Sequence, residues 1–220
     1  MTVTRVIGKQ RTEVLAAGAF AELQSRYAKT SVDVGTGDGR FAYQLASADP
    51  DRLVIGVDAL AEPMGDRAAT AARKPVKGGR PNLVFVHAAI ELLPAELERA
   101  ADEVYVQLPW GGLLEGIVLA RPDVLGGIAG LCRTGARLMV TLNGEIWVDS
   151  TPARYGQLPV PTPGYVAEVV APGFAPFGIR LGDARYSTVA EAKHLSTTWA
   201  KKLGHGRDHP RFVQFDGTAS

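Results

Sequence analysis

Cysteine is nearly absent from this chain. Cys132 is the only one among 220 residues, so no internal disulfide can form, and a reducing compartment suits the protein. Histidine is scarce as well. His205 and His209 stand four apart, but Gly204, Gly206 and Pro210 surround them, so a helical ligand pair is not expected and no metal is assigned. An excess of one charge is also missing: 24 Lys and Arg against 23 Asp and Glu leave +1. Any nucleic-acid surface must then come from local segregation of charge rather than overall basicity. No run is long and apolar enough to span a bilayer. Met1-Thr2-Val3-Thr4-Arg5-Val6 lacks the apolar stretch of a signal peptide, and the expected location is the cytoplasm, with no membrane partner. Internal repeats are absent too, and the length suits one α/β domain over residues 1–220 rather than two.

What the chain does have is alternation. Residues 3–14 hold two strand-like pieces around Gly8-Lys9, read as an N-terminal hairpin. Leu15, Phe20, Leu23 and Tyr27 fall at near-helical spacing and predict an amphipathic helix over 15–28. Ser31-Val32-Asp33-Val34 is a short strand, and a helix with Phe41 and Leu45 facing inward should follow it. Leu53 to Asp58 is a second strand, with a helix from 60 to 73. Strands over 82–87, 102–108 and 136–142 are separated by a loop at 74–81 and by two helices within 111–131. Pro152, Pro159, Pro161 and Pro163 mark 143–163 as an inserted loop. A helix near 164–171, a strand near 177–186, a helix near 189–203 and a strand near 211–215 complete the reading. Strands alternating with helices predict βαβ units and a mostly parallel sheet.

The first strand runs into Gly35-Thr36-Gly37-Asp38-Gly39. Glycines at a strand-to-helix turn permit tight bending and close approach of a ligand. Asp58 ends the second strand about twenty residues later, where a carboxylate accepts hydrogen bonds from ribose hydroxyls. A dinucleotide turn would read G-x-G-x-x-G and seat a pyrophosphate. Here the third glycine comes one residue early, and Asp33 and Asp38 would repel phosphate. S-adenosylmethionine (SAM) has no phosphate and carries a sulfonium and an ammonium, which carboxylates attract. Electrostatics therefore favours SAM, with Asp38 as a plain helix cap the other reading. The expected fold is α/β and Rossmann-like, the class I SAM-dependent methyltransferase type, with a mostly parallel seven-stranded sheet and an N-terminal hairpin extension.

The fourth strand ends in Gln107-Leu108-Pro109-Trp110-Gly111. Methyltransferases of exocyclic DNA amines carry an acidic or amide residue, two prolines and an aromatic there, a set this sequence lacks. A proline and a large flat ring suit stacking on a base. The bland alternative for Trp110 is a half-buried core residue, and for Trp199, beside Lys201 and Lys202, a helix-packing role. Trp147 belongs to no motif and reads as structural.

In Asp33-Val34-Gly35-Thr36-Gly37-Asp38-Gly39, in Lys74-Pro75-Val76-Lys77-Gly78-Gly79-Arg80-Pro81-Asn82-Leu83, in Leu108-Pro109-Trp110-Gly111 and in Thr197-Thr198-Trp199, the chain resembles the Kam family. That family comprises 16S ribosomal RNA (adenine-1408, N1) methyltransferases, which confer aminoglycoside resistance. The resemblance covers nearly the whole chain. It implies that Asp33, Gly35, Thr36, Gly37, Asp58, Ala89, Glu91 and Leu108 line a SAM pocket that ends the reaction holding S-adenosylhomocysteine. It implies that Trp110 and Trp199 enclose a flipped adenine, with Thr197 placed to reach cofactor and base. Arg67, Arg73, Lys74, Lys77 and Arg80, with Lys201, Lys202 and Arg207, would grip the RNA of the small ribosomal subunit, the enzyme acting as a monomer. One departure is that relatives look more basic, which implies weaker docking for this chain.

The chemistry agrees with these residues. Adenine N1 carries an in-plane lone pair and no proton, so it attacks the methyl directly and needs no general base. The enzyme has to flip the base, align N1 with methyl and sulfur, and exclude water. Three other readings stay open on sequence: a methyltransferase of small molecules, one of tRNA, and a SAM- or ribosome-binding relative without activity.

Overall fold

The computed structural model describes residues 2–147, 155–187 and 212–220. Thr197, Trp199, Lys201, Lys202, Arg207, both histidines near them and the helix expected at 189–203 lie outside the described residues.

Runs of valine, leucine and isoleucine form the centre of the sheet because they suit a pleated surface covered on both faces. The parallel strands are β3 (Lys29–Val34), β4 (Arg52–Asp58), β5 (Leu83–His87), β6 (Ala101–Gln107) and β7 (Cys132–Asn143). β3 pairs β4 from Lys29↔Arg52 to Val34↔Val57, and on its other side pairs β6 from Ser31↔Glu103 to Val34↔Val106. The hairpin of β1 (Thr4–Gly8) and β2 (Arg11–Val14) adds antiparallel to β5. On the far side β10 (Phe212–Ala219) runs antiparallel to β7 and carries β8 (Ile179–Leu181) and β9 (Arg185–Ser187). The order is β2-β1-β5-β4-β3-β6-β7-β10-β8. The seven expected strands are β5, β4, β3, β6, β7, β10 and β8. The hairpin and β9 bring the sheet to ten.

Alternation along β4 divides the interior. Leu53, Ile55 and Val57 join the larger core with Leu114, Ile117, Leu125 and Phe174. Val54 joins Met64, Ala68 and Phe85 in a smaller one, under α2 (Arg40–Ala48) and α3 (Ala61–Ala71). α4 (Gly111–Val118) and α5 (Pro122–Leu131) contribute to the larger core.

Several elements depart from expectation. The first helix, α1, spans only Ala19–Gln24, because Gly18 enters the left-handed region at φ 80° just before it. Leu15 and Tyr27 still pack on the core from outside the helix. α2 buries Ala42 and Ala46, not Phe41 and Leu45, so small residues let it lie close against the sheet. The expected strand at 177–186 is two strands broken between 181 and 185, and the last strand runs on to Ala219. β7 is longer than predicted and leads into a 3-10 turn at Gly144–Trp147. Pro163 sits in the first turn of α6 (Pro163–Tyr165), which continues through π-helical Val166–Val170 into α7 (Ala171–Phe174). Trp147 is structural as expected: it packs on the core, and its indole N–H donates to the Leu158 carbonyl at 3.1 Å.

Candidate functional site

From β3 the chain moves outward through β4 and β5, then returns to build β6 and β7 on the other side. A crevice forms at the carboxyl ends of strands where such an order reverses. A cleft of about 680 Å³ lies there, walled by residues that follow β3, β4, β5 and β6.

The wall from β3 is the glycine turn. Gly35, Gly37 and Gly39 all have left-handed backbones, at φ 70°, 56° and 70°. The first two face the cleft. Gly39 instead packs backward, where an added Cβ would lie 2.5 Å from the Phe85 ring. Asp33 is buried at the root of the turn and accepts a hydrogen bond from the Thr36 hydroxyl at 2.5 Å. Burial pushes its carboxyl up to about 7; Thr36 opposes the rise, and the charges of Asp58 and Asp38 add to it. Asp58 braces the turn from β4. Its Oδ2 accepts from the Gly37 N–H at 2.9 Å and its Oδ1 from the Leu60 N–H at 2.9 Å. Each oxygen keeps a second lone-pair direction for a hydroxyl. Asp38 does act as a local cap, accepting from the Arg40 N–H at 3.1 Å, and it also lines the cleft.

The wall from β5 contains Ala88, Ile90 and Glu91. Ala89 is not part of the lining: it precedes the 3-10 turn Ile90–Leu92 in extended geometry, and its neighbours face the cleft instead.

The wall from β6 is a strained turn. Leu108 is buried at φ 52°, a left-handed backbone uncommon for leucine. Its N–H is tied to the Thr141 carbonyl at 2.9 Å. Gln107, which the motif reading passes over, donates through Nε2 to the Met139 carbonyl at 3.1 Å. Its Oε1 is buried without a partner among the described residues. Such an acceptor beside a cleft suits a ligand N–H. Trp110 stands 45% exposed at the rim. Tyr155, fully buried, meets it edge-on at 5.1 Å and 84°, and its hydroxyl accepts from the Gly111 N–H at 2.8 Å. Tyr155 has no motif around it, and sequence reasoning misses it.

The cleft therefore brings together Asp33, Gly35, Thr36, Gly37, Asp58, Glu91, Leu108 and Trp110. A glycine wall flanked by carboxylates suits a ligand bearing positive charge and hydroxyls, as SAM does. Arg67, Arg73, Lys74, Lys77 and Arg80 are not among the lining residues. They sit on α3 and the loop after it, where Pro75–Lys77 forms a 3-10 turn. Among the described residues no helix is long and apolar enough to cross a membrane, and no group of His, Cys, Asp and Glu is placed to hold a metal.

The chain is similar to known proteins over nearly its whole length. The profile of the NpmA family, 16S rRNA (adenine(1408)-N(1))-methyltransferase, matches residues 4–217. A protein of that description from Streptoalloteichus tenebrarius is 40% identical over 98% of this chain and 99% of its own. The crystal structure of the 16S rRNA methyltransferase KamB is 40% identical at a TM-score of 0.89, covering 99% of each chain. A variant of the Catenulisporales acidiphilia 16S rRNA (adenine(1408)-N(1))-methyltransferase, solved with its cosubstrate SAM, is 37% identical at a TM-score of 0.89, covering 99% of this chain and 96% of that one.

Proposed function

The chain belongs to the family of 16S rRNA (adenine(1408)-N(1))-methyltransferases, and from that premise we propose how its own residues carry out methyl transfer from SAM to N1 of adenine 1408. SAM supplies an electrophilic methyl on a sulfonium, and every other requirement falls on the protein. Asp58 holds the ribose hydroxyls through the lone pairs that Gly37 and Leu60 leave open. Asp33 would take the positively charged end of the cofactor, with Leu108 lining the same cleft. Thr36 holds the Asp33 carboxylate oriented. Glu91, from the β5 wall, would contact the adenosine part.

The observation that carries the reading is Trp110. An indole 45% exposed at the rim of the cleft, held in a T-shaped contact with Tyr155, is a ring available for stacking on a base. A base stacked on such a ring gains roughly 1–3 kcal/mol. The methylated product is a cation, which an electron-rich ring stabilises further. We assign the second face of the sandwich to Trp199 and a bridging hydroxyl to Thr197. Docking on the RNA of the small subunit is assigned to the cluster of Arg67, Arg73, Lys74, Lys77 and Arg80 and to Lys201, Lys202 and Arg207. On this reading the enzyme works in the cytoplasm as a single copy, and the methyl it adds gives aminoglycoside resistance.

The test is methylation of purified small subunits with labelled SAM, mapped by reverse transcription, since an N1 methyl blocks pairing and stops the transcriptase. Wild type should stop it at the target adenine. Trp110→Ala and Trp199→Ala should keep SAM affinity and lose most of the transfer rate, with phenylalanine retaining more than alanine at each position. Wild-type rates from both alanine variants would refute the sandwich.

A further inference from the structure

Tyr43 belongs to no motif, yet it sits where α2 meets the basic loop. Its hydroxyl donates to the Gly78 carbonyl at 2.7 Å. The guanidinium of Arg67 lies over its ring at 5.3 Å from the centroid, and that of Arg80 at 4.9 Å. Arg80 is tied further, donating from Nε to Ser47 Oγ at 2.7 Å and from Nη1 to the Gly79 carbonyl at 2.8 Å.

The loop itself is tightly folded. Gly79 N–H returns to the Lys74 carbonyl at 3.1 Å and Arg80 N–H to the Ala71 carbonyl at 2.9 Å. A Cβ on Gly79 would lie 1.7 Å from the Arg73 carbonyl oxygen, so the two chain segments touch there. Asn82 anchors the exit: it is buried, and its Nδ2 reaches the carbonyls of Ala46, Asp49 and Arg52 at 2.9, 3.0 and 2.9 Å. Arg73, Lys74 and Lys77 are exposed on the outside of this fold, while Arg67 and Arg80 are half-buried.

We propose that the five cations have two separate roles. Arg73, Lys74 and Lys77 take phosphates, whereas Arg67 and Arg80 clasp Tyr43, the positioning residue that keeps the loop in its docking shape. This rests on the docking role assigned to the loop above. A loop held in its bound form loses less freedom on binding, and the stacked guanidiniums reinforce it. The brace adds affinity without adding a phosphate contact.

That distinction is measurable, because the salt slope of binding counts phosphates neutralised, about 0.7–0.9 per contact, and is blind to loop ordering. The experiment measures binding of the full-length protein to purified small subunits from about 50 to 200 mM salt. Lys77→Gln and Lys74→Gln should weaken binding and flatten the slope by nearly one contact each. Tyr43→Leu should weaken binding about tenfold at every salt concentration, as loop ordering is lost, with the slope unchanged. Arg80→Gln should behave like Tyr43→Leu. Tyr43→Phe, which keeps the ring and deletes only the Gly78 bond, should fall between Tyr43→Leu and wild type. SAM affinity, measured alongside, reports that each variant is folded. A flattened slope for Arg80→Gln, or wild-type binding by folded Tyr43→Leu, overturns the division. Unchanged slopes for both lysine variants would overturn the docking role itself, and the division with it.

Discussion

The turns that follow β3 and β6 stand side by side at the carboxyl ends of two central strands, and they are built in opposite ways. The β3 turn is local: three glycines take left-handed backbones, and the braces, Thr36 on Asp33 and Asp58 on Gly37, come from the same βαβ unit. The β6 turn puts a buried leucine into the left-handed region and is steadied from far away, by Thr141 on Leu108 and by Tyr155, 44 residues on, at Gly111. The wall from β3 is thus made by its own sequence, and the wall that carries Trp110 depends on the rest of the fold. A wall of the first kind tolerates change in distant segments. A wall of the second kind lets those segments set where Trp110 stands.

Three measurements put that contrast at risk. The largest effect is expected from Gly39→Ala, which strikes the glycine turn where its backbone packs on β5. Its Cβ would press on the Phe85 ring at 2.5 Å from a backbone at φ 70°. Clash and left-handed strain together should cost about 2–4 kcal/mol in denaturant unfolding and remove most SAM binding. A cost below about 1 kcal/mol would mean that the turn adapts more readily than its packing implies.

Next comes pH. Asp33 is pushed up to about 7 by burial. Between the ordinary carboxylate value of 3.8 and about 7, the unfolded chain has released this proton and the folded apoprotein has kept it. Apoprotein stability contributed by Asp33 is therefore greatest at low pH and declines across that window, levelling above it. SAM affinity should move the other way. An ammonium in the cleft favours the carboxylate, so binding tightens toward tenfold per pH unit up to about 7, with proton release. Calorimetry at about pH 6 in buffers of different ionisation heat measures that proton. No release would separate Asp33 from the positive end of the cofactor.

The smallest effect is expected at the distant brace. Tyr155→Phe keeps the ring against Trp110 and deletes the acceptor for Gly111 N–H, costing about 1–2 kcal/mol of stability. SAM affinity should hold while single-turnover methylation of small subunits falls severalfold. Equal loss in both would mean that the two walls are one unit.

The same contrast explains what the sequence discloses. Valine-rich runs announce β3, β4 and β5, and the glycine turn with Asp58 announces the cofactor wall, because each signal is contiguous or lies one strand away. Trp110 is legible from its place after a strand. Tyr155 and Tyr43 are not, since each acts on a backbone group 44 or 35 residues off and no periodicity links them. Gln107 hides because its amide matters only once Met139 has claimed one end of it. Phe41 and Leu45 look like the inward face of α2 because apolar bulk is what a pattern detects. The close approach of that helix is decided by alanines at 42 and 46.

A parallel sheet that ended at β5 would offer solvent the open edge of Leu83-Val84-Phe85-Val86, a strand any other chain with a free edge could extend. In the N-terminal hairpin, β1 occupies that edge, and β2 becomes the outermost strand: four residues, Arg11-Thr12-Glu13-Val14, all exposed and two of them charged. A short strand with charges of both signs is a poor template for a neighbour. The hairpin thus leaves the sheet an outer strand unsuited to edge-to-edge pairing, at the margin farthest in strand order from β8.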